Sequence, residues 1–327
     1  MKKQCKGKEG VIIFLGMLAM FFFTVSADGK TVFSPSSLVK QKCGACHQLN
    51  KEGRMEVIEE TRKTPEEWKV VVDRMNRLND VPIDDGEFKT IIKEVSYSLC
   101  LSPEEMSRIA YITSDENSQY REKPKDELEQ RIFTACVRCH TFGKIASHRM
   151  TRNQWEENRN LHLGYVPTVI PQMREMDWAK ESQELVEPVS ERFPFDNPEW
   201  QTWMKARKAQ DLTGTWNVAG YQPGGGYYQG TYSFKANPNK GDDEYLIEKE
   251  VRYESGEVVN LSGEGTLYSE YHLRYALSST GSNEKVEGVF DLDAGTMEFR
   301  GKWWKVIQDK NVYGNEEFSK GDGGARM

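Results

Sequence analysis

The chain has 327 residues, of which 37% are apolar with Tyr counted and 29% are charged, and its formal net charge is −7. With Gly counted in place of Tyr the apolar share is about 41%, just under the usual range of about 45–50%. These figures exclude disorder, collagen and a polytopic membrane protein; six Cys are too few for a disulfide scaffold, and an acidic chain without a basic face is not expected to bind nucleic acid.

Residues 1–27 read as a targeting segment. Lys2, Lys3, Lys6 and Lys8 precede the apolar run Val11–Val25, and Val25-Ser26-Ala27 supplies a small-residue cleavage site, the order of a secretory signal peptide. The rival is an anchor helix, but the run is too short for a bilayer core of about 30 Å. Cys5 precedes the run and so is not the modified Cys of a lipoprotein; no membrane anchor is expected after cleavage. The mature chain, at net charge −10 once four Lys and one Glu are removed, is expected in the periplasm.

Cys43-Gly44-Ala45-Cys46-His47, within residues 28–113, and Cys136-Val137-Arg138-Cys139-His140, within residues 129–210, share the pattern C-x-x-C-H of c-type haem attachment. Two thiols at this spacing add across the two vinyl groups of a porphyrin, and the following His lies beneath the iron as proximal ligand. The motifs predict two covalently attached haems c, with His47 and His140 on the irons. Zinc sites usually set their Cys pairs about 12–20 residues apart, whereas these are 93 apart. A thioredoxin-like pair needs neither the His nor the duplication, and two local disulfides leave both His unexplained. Cys100 reads as a small buried hydrophobe, with a reactive or intermolecular thiol as the alternative.

After each motif the chain repeats R-x-T-x-x-E/Q-W, as Arg62 to Trp68 and as Arg149 to Trp155. Thr64 with Glu67, and Thr151 with Gln154, read as capping boxes, and Pro65 stands at a first helical position, so each block opens a helix. Trp68 and Met75 are seven residues apart, as are Trp155 and His162, which places each pair on one helix face. That face is expected to meet the haem, with Trp68 and Trp155 packing on the porphyrins and Met75 and His162 as sixth ligands. None of the five His lies between 48 and 139, so the first iron is expected to take a Met. Met55 and Met106 compete with Met75, which is preferred because it precedes the helical stretch Phe88–Leu99. Met106 falls in a helix opened by another capping box, Ser102-Pro103-Glu104-Glu105. At the second iron His148, Met150, Met173 and Met176 compete with His162, which the repeat favours. His/Met ligation raises the potential relative to bis-His, so electrons are expected to run from the second haem to the first.

Residues 114–128 are polar and read as a linker between the lobes. Phe193 to Pro198 breaks the second lobe before a short helix around Glu199–Ala209. From 211 the sequence is rich in Tyr, Val, Thr and Trp, in seven or so segments separated by Gly, Asn and Asp, which predicts an antiparallel β domain over 211–310. His272 falls in one of these strands as an ordinary strand residue. No catalytic residue is visible, and residues 311–327 read as a polar tail. The fold class expected is multidomain: an all-α di-haem cytochrome c domain of two class I-like lobes, followed by an antiparallel all-β barrel or sandwich.

Two C-x-x-C-H motifs, the Trp-to-ligand repeat, Leu212-Thr213-Gly214-Thr215-Trp216 and the Tyr221-Gln222-Pro223-Gly224 strand-turn together resemble the alpha subunit of quinohaemoprotein amine dehydrogenase, over about residues 38–308. The resemblance implies two haems c, attached at Cys43, Cys46, Cys136 and Cys139 beside His47 and His140. It implies partners: a β-propeller subunit and a small subunit with a cysteine-derived tryptophylquinone, which oxidises a primary amine to an aldehyde and ammonia. Electrons then cross the haems to a soluble periplasmic acceptor, so this chain is the electron-transfer part of an oxidoreductase. The family's subunit has further β domains, expected here to be absent or on another chain. The alternatives are a free-standing di-haem cytochrome c with a β docking domain, or a di-haem peroxidase with Glu59, Glu60 or Gln154 over a five-coordinate haem. The paired ligands argue against the peroxidase, and a haem-based sensor has no signalling segment to support it.

Overall fold

The computed structural model describes residues 33–107, 109, 122–237, 239–279, 285–307 and 310–321. The signal peptide expected over 1–27 and residues 114–121 of the expected linker lie outside the described residues.

Side-chain caps set out the helical part. Ser36 accepts from Val39 N–H to open α1 (Ser37–Cys43). The short strand β1 (Thr61–Lys63) leads into α2 (Pro65–Leu78), capped by Thr64. A reciprocal box of Asp84 and Glu87 opens α3 (Asp85–Ser98), and Ser102 with Glu105 opens α4 (Pro103–Ser107). Then come α5 (Glu127–Cys136), α6 (Phe142–Ala146), strand β2 (His148–Met150), α7 (Arg152–Tyr165), α8 (Val169–Gln172), α9 (Trp178–Arg192) and α10 (Pro198–Ala206). The boxes expected at Thr64 and Thr151 are one-sided. Each hydroxyl accepts from the N–H three residues on, at 3.3 Å, but the Glu67 carboxylate turns away to the Lys144 ammonium.

An all-α di-haem domain of two class I-like lobes is not what forms. The chain is a mixture of helices and strands, and the helical part itself contains a two-stranded antiparallel ribbon, β1 with β2, in which Arg62 lies opposite Arg149. The reason lies in the repeat. A Thr N-cap requires extended backbone, so the residues leading to it arrive extended, and the two copies satisfy each other's N–H and C=O groups. The facing arginines are held by Glu105, which accepts from Arg62 Nη1 and Nη2 at 2.7 and 2.9 Å and from Arg149 Nε at 3.0 Å. All three side chains are buried. The tryptophans repeat as well: Trp68 Nε1 donates to the carbonyl that ends α3, Leu99 O, at 3.1 Å, and Trp155 Nε1 to the one that ends α9, Phe193 O, at 3.3 Å.

The β part is a closed barrel. Its strands are β3 (Gly214–Gln222), β4 (Gly226–Ala236), β5 (Glu244–Tyr253), β6 (Val258–Tyr268), β7 (His272–Ser278), β8 (Lys285–Asp293), β9 (Glu298–Ile307) and β10 (Lys310–Lys320). Each pairs antiparallel with its sequence neighbours, and β10 closes on β3. Where the sequence left barrel or sandwich open, closure selects the barrel. It also draws residues 311–320, expected as polar tail, into the last strand. The inward row of β10 is Val312, Gly314, Glu316 and Phe318, with too little apolar alternation to read as a strand. Glu316 is buried against Lys249, with which it forms an ion pair, and accepts from Tyr228 and Tyr232 hydroxyls at 2.7 and 2.6 Å. Trp216 packs its ring on Phe234, Phe299 and Phe318. Eight strands enclose a lumen just wide enough for such side chains to fill or for one small ligand.

The core does not divide at residue 210. One apolar cluster runs from Ile132, Trp155 and Trp178 in the second lobe to Trp216 and Phe318 in the barrel; the first lobe has its own around Phe33, Trp68 and Val95. Tyr271 and Ser269 hydroxyls donate to Leu101 O and Ser96 O at 2.8 and 2.7 Å. His272, fully buried, donates from Nε2 to Glu66 in the first turn of α2 at 2.9 Å and from Nδ1 to Asp291 at 2.6 Å. Burial alone would depress this imidazole, but the two carboxylates raise it, to about 9.

Candidate cofactor site

The second Cys motif closes α5: Cys136 is its last residue, and Cys139 and His140 follow in the turn. His162 stands in the last turn of α7. These four residues and Trp155 line one cavity of about 490 Å³. Across it the ring centres of His140 and His162 lie 6.4 Å apart, with the ring planes tilted at 55°. Two imidazoles on opposite sides of one metal ion, each bonded at about 2 Å, need a centre-to-centre separation of about 6 Å. Each Nδ1 meets a backbone carbonyl, His140 at Thr141 O (3.1 Å) and His162 at Asn158 O (2.7 Å). A carbonyl only accepts, so Nδ1 carries the proton and Nε2 keeps its lone pair for a metal. Burial depresses the His140 imidazole below its usual range, and the neutral form is the one that binds a metal. Burial pushes the Cys136 thiol up to about 12, with Glu181 and Cys139 adding to the rise. The remaining wall is largely apolar, including Ile132, Val169, Val186 and Trp178, whose ring centre is 6.2 Å from that of His162. The arrangement fits a flat apolar group with a metal at its centre and the two cysteines at its edge.

The first set is placed differently. Cys43 ends α1 and packs against the cluster that contains Trp68, Met55 and Val72; Cys46 is exposed. Burial, and then the Glu94 carboxylate, raise the Cys43 thiol. His47 Nδ1 donates to Glu56 O at 3.2 Å, which again leaves Nε2. Met75 is half-buried in the last turn of α2, with Asn79 Nδ2 3.6 Å from its sulfur. Met55 and Met106, its competitors, are packed among apolar residues at 1% and 2% exposure. At the second set the two candidate ligands line one cavity with their ring centres 6.4 Å apart.

Of the competitors at the second site, His148 lines the same cavity but donates from Nδ1 to Lys144 O at 2.7 Å and turns Nε2 toward Glu67 at 3.6 Å. Met150 is buried in the core; Met173, also buried, lines the same cavity with its sulfur 3.5 Å from Arg138 Nη1, and Met176 packs partly buried against that core. Cys100 is buried beside Trp200 and Met204, as a small hydrophobe would be. Among the described residues no three His, Cys, Asp or Glu side chains converge on a point where they could hold a bare ion.

Sequence reasoning missed the far wall of the second cavity. It comes from the first lobe: Glu67, Val70, Val71, Arg74 and Leu78 of α2, and Lys63 of β1. Trp68 and Val72 on the opposite face of α2 belong to the first lobe's own core. The signal was present in the 3.6-residue period of α2, which has apolar residues on both faces. Trp178, outside the repeat, carried no such signal.

A chain that joins a helical part to a closed eight-stranded barrel, with a largely apolar cavity lined by two cysteines and two histidines, is the class that fold and site define. Residues 34–200 match the haem-binding domain of the quinohemoprotein amine dehydrogenase alpha subunit, and residues 209–316 match domain II of the same subunit. The chain belongs to this family of haem-binding alpha subunits, and so to a family whose members are one chain of a complex. No curated protein matches it. Among solved structures, EF1p2_mFAP2b bound to DFHBI is 16% identical, covering 34% of this chain and 94% of its own, at a TM-score of 0.30. A de novo fluorescence-activating barrel is 21% identical, covering 35% of this chain and 96% of its own, at 0.28.

Proposed function

We propose that the chain is an exported, periplasmic electron-transfer subunit of an amine dehydrogenase, with two covalently attached haems c. In this reading Cys43 and Cys46 hold the first haem, with His47 and Met75 on its iron, and Cys136 and Cys139 hold the second, with His140 and His162 on its iron. A haem supplies a one-electron carrier. The chain's own residues fix its orientation through the cysteines, keep both His140 and His162 as Nε2 ligands through their Nδ1–carbonyl bonds, and exclude water with Trp155, Trp178 and the apolar wall. No side chain here is assigned to amine chemistry. A quinone on a partner subunit would oxidise the primary amine, a β-propeller subunit would complete the complex, and a soluble acceptor would take the electrons.

The observation that carries this reading is the pair His140 and His162, with ring centres 6.4 Å apart in one cavity that Cys136 and Cys139 also line, in a chain of this family. The test is a haem count on the denatured chain by pyridine haemochromogen and mass spectrometry, with native purification. Two haems retained through acid extraction, and a quinone-bearing chain in the purified complex, are expected. Fewer retained haems overturns the covalent di-haem assignment, and a protein that never brings down such a partner overturns the amine dehydrogenase role.

A further inference from the structure

Lys63 lines the second cavity, and protein contacts leave its ammonium unexplained. It lies on β1, in the first lobe, opposite His148 in the ribbon. Its side chain is 6% exposed and lines the same cavity as His140 and His162. The backbone N–H donates to Leu99 O, but among the described residues its ammonium makes no hydrogen bond or ion pair. The acid of that wall, Glu67, is taken by Lys144 and approached by His148. Arg74 lines the same cavity and adds a further positive charge. Burial depresses the Lys63 ammonium, to about 7; Glu67 opposes that fall, while Lys144 and Arg74 deepen it.

Among the described residues no carboxylate lies within ion-pair distance of this ammonium, and around the cavity the positive charges of Lys63, Arg74, Arg138, Lys144 and Arg159 outnumber the one carboxylate, Glu67. Such a wall is suited to an anion brought by the group that fills the cavity. A haem brings two, its propionate carboxylates. We propose that Lys63 reaches across from the first lobe to pair with a propionate of the second haem, and that its charge raises that haem's potential. This rests on the reading of a second haem at His140 and His162. An ammonium beside a haem favours the reduced iron, which carries one positive charge fewer, and it also neutralises a carboxylate that favours the oxidised form. The two effects have the same sign. Lys63 is thus a positioning residue: it acts on the iron through the propionate and the field.

The sequence repeat is consistent with a special role. Lys63 aligns with Met150 of the second copy, between an Arg and a Thr that both copies share. The copies agree in what builds the ribbon and differ at this position, where one side chain enters the neighbouring lobe's cavity.

The test is potentiometric titration of the haem-loaded full chain, after a haem count, for wild type, Lys63→Met, Lys63→Gln and Lys63→Arg. Removing the charge should disfavour reduction of the lower-potential haem at least tenfold, about 59 mV downward for a one-electron couple. The other haem should stay within its error, and Lys63→Arg should restore most of the shift. Gln is the polar control should Met disturb folding. Unchanged potentials in Met and Gln variants that hold two haems overturn the proposal, as does an equal fall in the Arg variant, which would assign the effect to packing. A wild-type chain with one haem overturns the reading of the second centre and the proposal with it.

Discussion

The helix after Thr64 and the helix after Thr151 begin alike, with a Thr cap, an Arg in the ribbon and a Trp bonded to the carbonyl that ends the lobe's last long helix. They then diverge. One face of α2 packs in its own lobe through Trp68 and Val72, and the other lines the second cavity through Val70, Arg74 and Leu78. Its first turn is clamped to the barrel by His272 on Glu66, where the second copy has Asn153. On α7, Trp155 and His162 face the cavity, while Arg152 is exposed and pairs with Glu156 and Glu187. A repeated framework can therefore carry unequal duties: shared residues set the backbone, and the positions between them decide which site each helix serves.

The largest expected effect tests the proposed ligand difference between the copies. His162→Met should raise the lower potential toward the higher and narrow the gap, because thioether ligation favours the reduced iron. His162→Ala should open the sixth position and give a high-spin visible spectrum. A titration in which both variants keep the wild-type gap would remove His162 from the iron.

The shared framework is tested next. Glu105→Ala leaves Arg62 and Arg149 buried without their carboxylate, which should cost about 3–5 kcal/mol in urea unfolding and loosen both copies together. A loss confined to one lobe in hydrogen exchange would mean the ribbon does not couple them.

Met75 and Met106 should separate cleanly. Met106→Ala removes a core side chain and should cost about 2–5 kcal/mol with an unchanged haem spectrum. Met75→Ala should change the spectrum and potential of the first haem with a smaller loss of stability. The reverse pattern would move the ligand to Met106.

The clamp on α2 predicts a pH dependence that the second copy lacks. His272 is raised in the folded chain, so its contribution is fully present below its unfolded value of about 6.5. It is lost as pH rises through about 9. Urea midpoints should fall over that interval. In His272→Asn that part of the slope should vanish, while Glu66, Asp291 and Arg274, the charged groups around it, remain.

The smallest effect is a matched pair. Trp68→Phe and Trp155→Phe each remove one indole–carbonyl bond and should each cost about 0.5–1.5 kcal/mol. Unequal costs in calorimetry would show that one Trp does more than fix its lobe.

Much of the site was legible because its determinants are local. C-x-x-C-H places two thiols and an imidazole within one turn, and a seven-residue interval places Trp155 and His162 on one face whatever lies around them. The barrel strands alternate visibly, as in β5, where inward Tyr245, Ile247 and Val251 are buried. The last strand was not legible, because its inward row places Glu316 where an apolar residue would be expected. That choice makes sense only with Lys249, Tyr228 and Tyr232 around it.

By itself, then, the sequence determined which residues could bond a haem, where the paired helices begin and which segments extend, since these follow from spacing, caps and alternation over a few residues. Tertiary structure alone decided that the two copies meet through a ribbon, that α2 walls its neighbour's cavity, and that Lys63 enters it. Those facts depend on which distant surfaces pack together, and Arg62 and Arg149 can lie opposite one another only because Glu105, from a third segment, is buried between them.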